Sequence, residues 1–265
     1  MQFKTIIGTA ATALSLSLVC TLPVHAAGIT GQGTWESTLL GRDINRHAVA
    51  ATDSSAIYLY DTKLGVTWLR DAYANPTANG NGTMTWSEAT SWAANLSTGT
   101  GSNTLSNWSL PTMSQLDCNA TNCGYNPAAF SSQMASLFFD TLGNKARYTN
   151  ASGSGAEQAD WGLTNTGSFK NFFPYVFWLN SSYFSGYAWQ FNTTYGNQSV
   201  SPIANLYLAM AVHPGDVLLA PVPEPETYMM MLLGLGAVGA LSRRRARSLG
   251  DWPKWRQYRD MTPLG

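Results

Sequence analysis

The chain has 265 residues, enough for one large domain or two small ones. Lys plus Arg and Asp plus Glu both total 15, so the formal net charge is zero and gives no electrostatic reason to expect a nucleic-acid partner. Only 11% of the residues are charged and 12% are aromatic, which predicts a folded protein whose surface is covered by small uncharged polar residues.

The N-terminus, residues 1–26, has the organisation of a secretory signal peptide. Lys4 is the only charged residue in an otherwise apolar and small-residue stretch, which ends in Val24-His25-Ala26 with short residues at the positions read by signal peptidase. We predict export through the Sec machinery and cleavage by signal peptidase after Ala26. A retained membrane helix is the alternative, and the shortness of the apolar run disfavours it.

Two cysteines remain after removal of this signal, which contains Cys20. Cys118 and Cys123 are separated by four residues, and in an oxidising compartment they predict a disulfide. The loop that this bond closes is short, so the chain-entropy model gives about 2 kcal/mol of stabilisation. A metal-binding pair is the alternative, but the mature chain has no further cysteine and its two histidines are distant in sequence. We predict neither a metal nor a cofactor.

The C-terminus has three consecutive parts. Val222–Thr227 is a proline-rich spacer, Tyr228–Ser242 is apolar, and four arginines lie within residues 243–247. A helix of fifteen residues is about 22 Å long, short against a hydrocarbon core of about 30 Å. Arginines at its end can reach the interface and, by the positive-inside rule, place that end in the cytoplasm. The pattern therefore predicts a short transmembrane helix that leaves the preceding body outside the inner membrane.

This ending resembles the PEP-CTERM sorting signal of exported bacterial proteins. The resemblance rests on Pro223, Glu224 and Pro225, followed by the apolar segment and by Arg243-Arg244-Arg245. It implies that the signal spans residues 221–247 and that its partner is exosortase, a membrane peptidase. It also implies that the protein comes from a bacterium that makes exopolysaccharide and lives in biofilm or floc. Such signals end soon after the arginines, whereas this chain continues through residues 248–265. We assign no role to that predicted cytoplasmic tail, and it is a candidate for impairing processing.

The body between the two signals, residues 27–220, is predicted to be one α+β domain. It has seven basic and eleven acidic residues, hence a formal charge of −4. Ala56–Tyr60 and Val66–Leu69 are rich in β-formers and predict a hairpin. Thr85 followed by Glu88 predicts a capping box at the start of a helix.

Further elements are predicted from residue periodicity. The pattern indicates a short helix that opens with residues 112–115 and another from 131 to 142, the second ended by Gly143. It also indicates strands over 175–179, 187–191 and 206–212. No internal repeat or linker is visible in the body.

Several sequence blocks of the body are similar to the Lcl-type domain, named after a bacterial collagen-like adhesin. The blocks begin at Asp61 with Trp68, at Thr85, at Trp108-Ser109-Leu110-Pro111-Thr112, at Trp178 and at Ala188. The resemblance covers residues 56–217 and implies a fold related to C-type lectins and adhesion to glycans. Ser109 stands where the family pattern has arginine, which argues against an anionic-glycan site centred on that block.

Tryptophans are the candidate sugar-contacting residues, because their flat apolar faces suit the C–H faces of pyranose rings. Seven lie in the middle of the chain, and most occupy strands or the inward side of a helix, which predicts that they belong to the core. Trp108 and Trp161 lie in polar loops. If any of the seven is exposed and contacts a glycan, we expect it to be one of these two.

No motif of a catalytic site is visible. Neither His47 nor His213 lies in the context of a catalytic triad, and no spacing singles out one pair among the eleven acids. We therefore expect an exported, non-enzymatic protein that lies at the cell surface or in the extracellular matrix and binds exopolysaccharide. The alternatives are a secreted hydrolase acting on matrix polysaccharide and a structural matrix protein without a ligand.

Overall fold

The computed structural model describes residues 28–75, 78–114, 122–219 and 230–238. The chain divides into two units between Leu218 and Leu219. In the first unit the described residues form two antiparallel sheets with short helices, so the prediction of a mixed fold of helices and strands is confirmed. The nine strands in chain order are β1 (Leu39–Arg42), β2 (Ala48–Val49), β3 (Tyr58–Asp61), β4 (Val66–Leu69), β5 (Asn122–Tyr125), β6 (Val176–Ser182), β7 (Tyr187–Asn192), β8 (Asn197–Pro202) and β9 (Val212–Pro214).

The first sheet has the strand order β2-β1-β3-β4-β9. The predicted hairpin is its centre, because Tyr58 pairs with Leu69 and Asp61 pairs with Val66. The Asp61 carboxylate accepts the backbone N–H groups of Lys63 and Leu64 at 3.0 and 3.3 Å, which fixes the turn between the two strands. Local turn chemistry therefore makes this pairing predictable from sequence.

The second sheet has the strand order β5-β8-β7-β6. The predicted strands 175–179 and 187–191 correspond to β6 and β7. The predicted strand 206–212 is mostly wrong, because only β9 at its end is a regular strand. Leu208 instead exchanges backbone hydrogen bonds with the edge of β6, accepting from Trp178 and donating to Val176, each at 3.0 Å.

The helices are short. They are α1 (Trp35–Thr38), α2 (Trp86–Asn95) and α3 (Gln133–Ala135), and α3 continues as a π-helical turn over Ser136–Thr141. Both halves of the predicted capping box of α2 are present. The predicted helix 112–115 is wrong for its described residues, since Met113 makes a strand-like pairing with Ser132.

The core lies between the two sheets and receives side chains from both. Its largest fully buried members include Trp68 of β4, Phe177 of β6 and Trp189 of β7. Helix α2 covers the opposite face of the second sheet, where its Ala89 and Ala93 pack in the cluster that holds Trp178 and Ala188. Small residues on α2 allow this close approach, because a larger side chain would collide with the sheet.

The second unit contributes one described helix, α4, over residues 230–238. Its large apolar side chains are exposed, as shown by Met230 at 70% and Val238 at 66%. Within the described ranges, we find no helix with the length and apolarity needed to span a bilayer.

Candidate functional site

Half-buried aromatic rings surround one arginine at the end of the body that holds the β7–β8 turn. We call the group formed by Arg147, Tyr148, Glu157, Trp161 and Tyr195 the aromatic–arginine cluster. Backbone pairing assembles it from two distant segments. Lys145 pairs with Gly162, and the Arg147 N–H donates to the Tyr195 carbonyl at 2.9 Å. The first pairing closes the loop that carries Glu157, and the second attaches that loop to the turn.

The Arg147 guanidinium is the centre of the cluster. Its carbon lies 5.2 Å from the ring centroid of Trp161, 5.3 Å from that of Tyr148 and 5.7 Å from that of Tyr195. The Trp161 and Tyr195 rings are 5.8 Å apart with an interplanar angle of 33°. These distances are typical of cation–π contacts, which hold the planar groups in a fixed arrangement.

Glu157 fixes the orientation of the guanidinium and of the indole. Its Oε1 accepts from Arg147 Nε at 2.8 Å and also from Arg147 Nη2, while its Oε2 accepts from Trp161 Nε1 at 3.1 Å. The Arg147 side chain is 32% exposed and that of Glu157 is 42% exposed, so solvent and ligands reach both. The cluster is therefore an ordered surface feature rather than a part of the core.

Electrostatics in the cluster favour two fixed charges. Hydrogen bonds from Arg147 hold the pKa of the Glu157 carboxyl below its usual range, and the same bonds raise the pKa of Arg147. Glu157 is thus ionised at neutral pH and has no proton to give to a leaving group. This differs from a glycosidase acid, whose pKa is raised by its surroundings.

The two predicted glycan-contacting tryptophans have different environments. Trp161 is half-buried and lies in the cluster, and its contact with a glycan stays a prediction. Trp108 is only 3% exposed and stacks on Tyr58 with 5.9 Å between ring centroids. Trp108 is therefore wrong as a candidate glycan contact, because Ser109 exchanges backbone hydrogen bonds with Val212 of β9 and draws the segment onto the first sheet.

The cysteine prediction is only partly within the described residues. Cys123 is buried and disulfide-bonded, and the side-chain amide of Gln198 donates to its sulfur at 3.2 Å. Its predicted partner lies outside the described ranges, so the pairing itself stays a prediction. The other predicted site residues outside those ranges are Ala26, Pro223, Glu224, Pro225, Arg243, Arg244 and Arg245, and with them Cys118.

Other clefts are present on the described part of the body. A cleft of about 660 Å³ beside α2 is lined by Trp92, Glu88 and asparagines, but Glu88 is engaged in the capping box. A second cleft of about 430 Å³ has Lys63 and Asp140 in its wall. Across the described part of the chain, no three His, Cys, Asp or Glu residues converge in a way that would hold a metal ion.

Sequence reasoning found Trp161 and missed the other four members of the cluster. Arg147 is the single arginine between Arg70 and Arg243, and it lies next to Tyr148. In a chain with so few charges, an isolated arginine beside an aromatic residue could have marked a candidate binding site. Tyr195 had no such signal, because its proximity depends on how a distant turn packs.

Comparison with known proteins identifies the C-terminal segment. Residues 221–246 match the family model described as the PEP-CTERM protein-sorting motif. Neither a curated protein nor a solved structure matches the chain. The motif implies an exported protein that is anchored transiently in the membrane and processed by exosortase.

Proposed function

We propose that the body of this exosortase-sorted protein is a non-enzymatic carbohydrate-binding module that attaches to extracellular polysaccharide at the aromatic–arginine cluster. The observation that supports the proposal is the geometry of the cluster. Glu157 orients the flat guanidinium of Arg147 and the half-exposed ring of Trp161, and the half-exposed ring of Tyr195 packs against both of them. Such faces suit the C–H surface of a pyranose ring, and their fixed arrangement lowers the entropy lost on binding.

Two sequence arguments motivate the same activity. The blocks that resemble the Lcl-type domain imply adhesion to glycans, and the lectin-like fold that they imply stays a prediction. Export followed by removal of the anchor would deliver the body to the cell surface or the extracellular matrix, where exopolysaccharide is the abundant polymer. A biofilm role follows from this location and is part of the proposal.

Affinity electrophoresis of the full-length chain in detergent, through gels that contain soluble polysaccharides, tests the binding proposal. We expect retardation by at least one polymer and its loss in Trp161→Ala. Phe130→Ala is the matched control, because it removes a ring that is 71% exposed and lies outside the cluster. Equal retardation of the two variants would contradict the assignment of binding to the cluster.

The same preparation distinguishes binding from hydrolysis. We expect no release of reducing ends from any polymer that retards the chain. Glu157 is the single carboxylate of the cluster, and its lowered pKa leaves it ionised at neutral pH. Release of reducing ends that disappears in Glu157→Gln would favour the hydrolase instead.

Sorting is tested at the C-terminus. We propose that exosortase reads Glu224 between Pro223 and Pro225, and that Arg243-Arg244-Arg245 retain the precursor in the inner membrane through its apolar segment. Proline fixes φ and has no N–H, so this element suits an extended peptide above a membrane anchor. In a host with exosortase, Glu224→Ala should accumulate uncleaved membrane-bound precursor on immunoblots. Normal maturation of that variant would contradict the proposal, and truncation after Arg247 tests the tail.

A further inference from the structure

We propose that the polysaccharide bound at the aromatic–arginine cluster is uncharged, and that the body discriminates against uronate-rich and sulfated polymers. The inference rests on the proposed function and adds the chemical class of its ligand. It is argued from the partners of the arginines, from the charge around the cluster and from the net charge of the body.

Two of the three arginines of the body that lie outside the cluster already have partners within the protein. Arg42 is buried and donates through Nε and Nη2 to the two carboxylate oxygens of Asp216 at 3.0 and 2.6 Å. Arg70 is buried and donates to backbone carbonyls, including that of Ser168 at 2.8 Å. The planar fork that makes arginine effective with carboxylate and sulfate is thus occupied at both positions.

The arginine of the cluster is neutralised in the same way. Arg147 Nε and Nη2 both donate to Glu157, and the indole N–H of Trp161 donates to the other oxygen of that carboxylate. The segment 145–162 that builds the site has Lys145 and Arg147 against Glu157 and Asp160, so its formal charge is zero. A bound sugar therefore meets aromatic and guanidinium faces without an excess of positive charge.

The body as a whole adds repulsion toward polyanions. Its seven basic and eleven acidic residues give a formal charge of −4. A polyanion gains affinity from cations that replace its counterions, and that gain falls steeply as salt rises. A neutral polymer held by ring faces and hydrogen bonds has no such dependence. The inference therefore predicts binding that is insensitive to salt.

The experiment compares three soluble polymers in affinity electrophoresis of the full-length chain in detergent. Hydroxyethyl cellulose is the neutral probe, alginate is the uronate probe and dextran sulfate is the sulfated probe, each at about 20 mM and about 300 mM NaCl. We expect retardation by the neutral polymer alone, changing less than about 2-fold between the two salt concentrations. Trp161→Ala should weaken it by about 10-fold, equivalent to about 1.4 kcal/mol.

A second variant tests the electrostatic reason directly. Glu157→Gln removes the partner charge and leaves the Arg147 guanidinium free to bind an acidic group. We expect this variant to gain salt-sensitive retardation by alginate, while Asp160→Asn makes the same change in net charge without freeing Arg147 and gains less. Absence of that gain would overturn the assignment of discrimination to the ion pair.

The outcomes separate this inference from the proposed function. Retardation of the wild-type chain by alginate or dextran sulfate alone, lost at high salt, would overturn the inference. Loss of that retardation in Trp161→Ala would keep the proposed function. Retardation by no polymer at either salt concentration would overturn both. Because the salt comparison uses the wild-type chain, it decides the question even where a variant fails to fold.

Discussion

Among the residues that the structure describes, two arginine–carboxylate pairs have similar chemistry in opposite surroundings. In the Arg42–Asp216 pair the side chains are 5% and 27% exposed, whereas in the Arg147–Glu157 pair they are 32% and 42% exposed. The first pair matches two donors to two oxygens, and the second directs two donors to one oxygen. The other carboxylate oxygen of Glu157 accepts a hydrogen bond from the Trp161 indole N–H.

The difference shows how burial and sequence separation decide what an ion pair does. Arg42 and Asp216 are 174 residues apart, so their pair ties β1 to the segment after β9. Arg147 and Glu157 are only 10 residues apart, so their pair shapes a single surface loop. We therefore expect the first pair to contribute to the free energy of unfolding and the second to the presentation of a binding surface.

Breaking the buried pair is expected to have the largest effect. Asp216→Asn leaves the buried Arg42 charge without its counter-charge, and we expect the free energy of unfolding to fall by about 2 to 3 kcal/mol. The change in the free energy of unfolding is measured by urea denaturation, with tryptophan fluorescence as the signal. Asp160→Asn, an exposed acid, is the control and should leave the midpoint unchanged. A loss below about 1 kcal/mol in Asp216→Asn would contradict the structural role of the pair.

Arg70 sharpens the comparison because it is buried and, within the described ranges, has no carboxylate partner. Its guanidinium donates to the carbonyls of Ser168, Ala56 and Thr52 at 2.8, 3.1 and 3.3 Å, and to that of Asp53. Arg70→Met keeps the stem but leaves these acceptors without that donor, so we expect a loss of about 2 kcal/mol in urea denaturation. An unchanged urea midpoint would mean that water bonds these carbonyls as well as the guanidinium does, and it would contradict the prediction.

The capping box of α2 is exposed, but it supplies hydrogen bonds to backbone N–H groups at the start of the helix. It therefore tests whether an exposed contact of this kind stabilises the fold. The Thr85 hydroxyl accepts the N–H of Glu88 at 3.3 Å, and the Glu88 carboxylate accepts the N–H of Thr85 at 2.8 Å. We expect Thr85→Ala to cost about 1 kcal/mol in the same denaturation experiment. Ser91→Ala, an exposed position of the same helix, is the control. An equal cost in both variants would remove the capping explanation.

Local structure was predictable from the sequence, and long-range pairing was not. The β3–β4 hairpin and the α2 cap depend on residues within a few positions of each other, and both are present as predicted. Strands β1 and β8 were missed because their sequences are short or polar and gain their conformation from neighbouring strands. Met113 was predicted as helical for the same reason, since its pairing with Ser132 lies beyond the reach of local propensity.

The candidate site shows the same difference between local structure, which the sequence predicts, and long-range pairing, which it does not. Trp161 was identified from its polar loop, but the expectation drawn for Trp108 from a similar loop is wrong. What separates them is a pairing of Ser109 with β9, far along the chain, which covers one ring and not the other. Arg147 and Tyr195, which lie far apart in sequence, are joined by a backbone hydrogen bond and by the contact of the guanidinium with the tyrosine ring. A surface built from two segments in this way requires the fold before it can be seen.

The smallest expected effect concerns the titration of the exposed pair. Hydrogen bonds from Arg147 hold the pKa of Glu157 below its ordinary value, so Arg147→Gln should move that pKa upward toward the ordinary value of a glutamate. NMR titration of the Glu157 carboxyl carbon measures the shift. Because the pKa is depressed in the folded state, any stability it provides is present above the unfolded-state pKa and is lost as the pH falls through the folded-state pKa. The urea midpoint at neutral pH should nevertheless stay within error, since both side chains are exposed and solvent screens their attraction. A large loss of stability at neutral pH in Arg147→Gln would make this second pair structural, and the contrast with Arg42–Asp216 would then disappear.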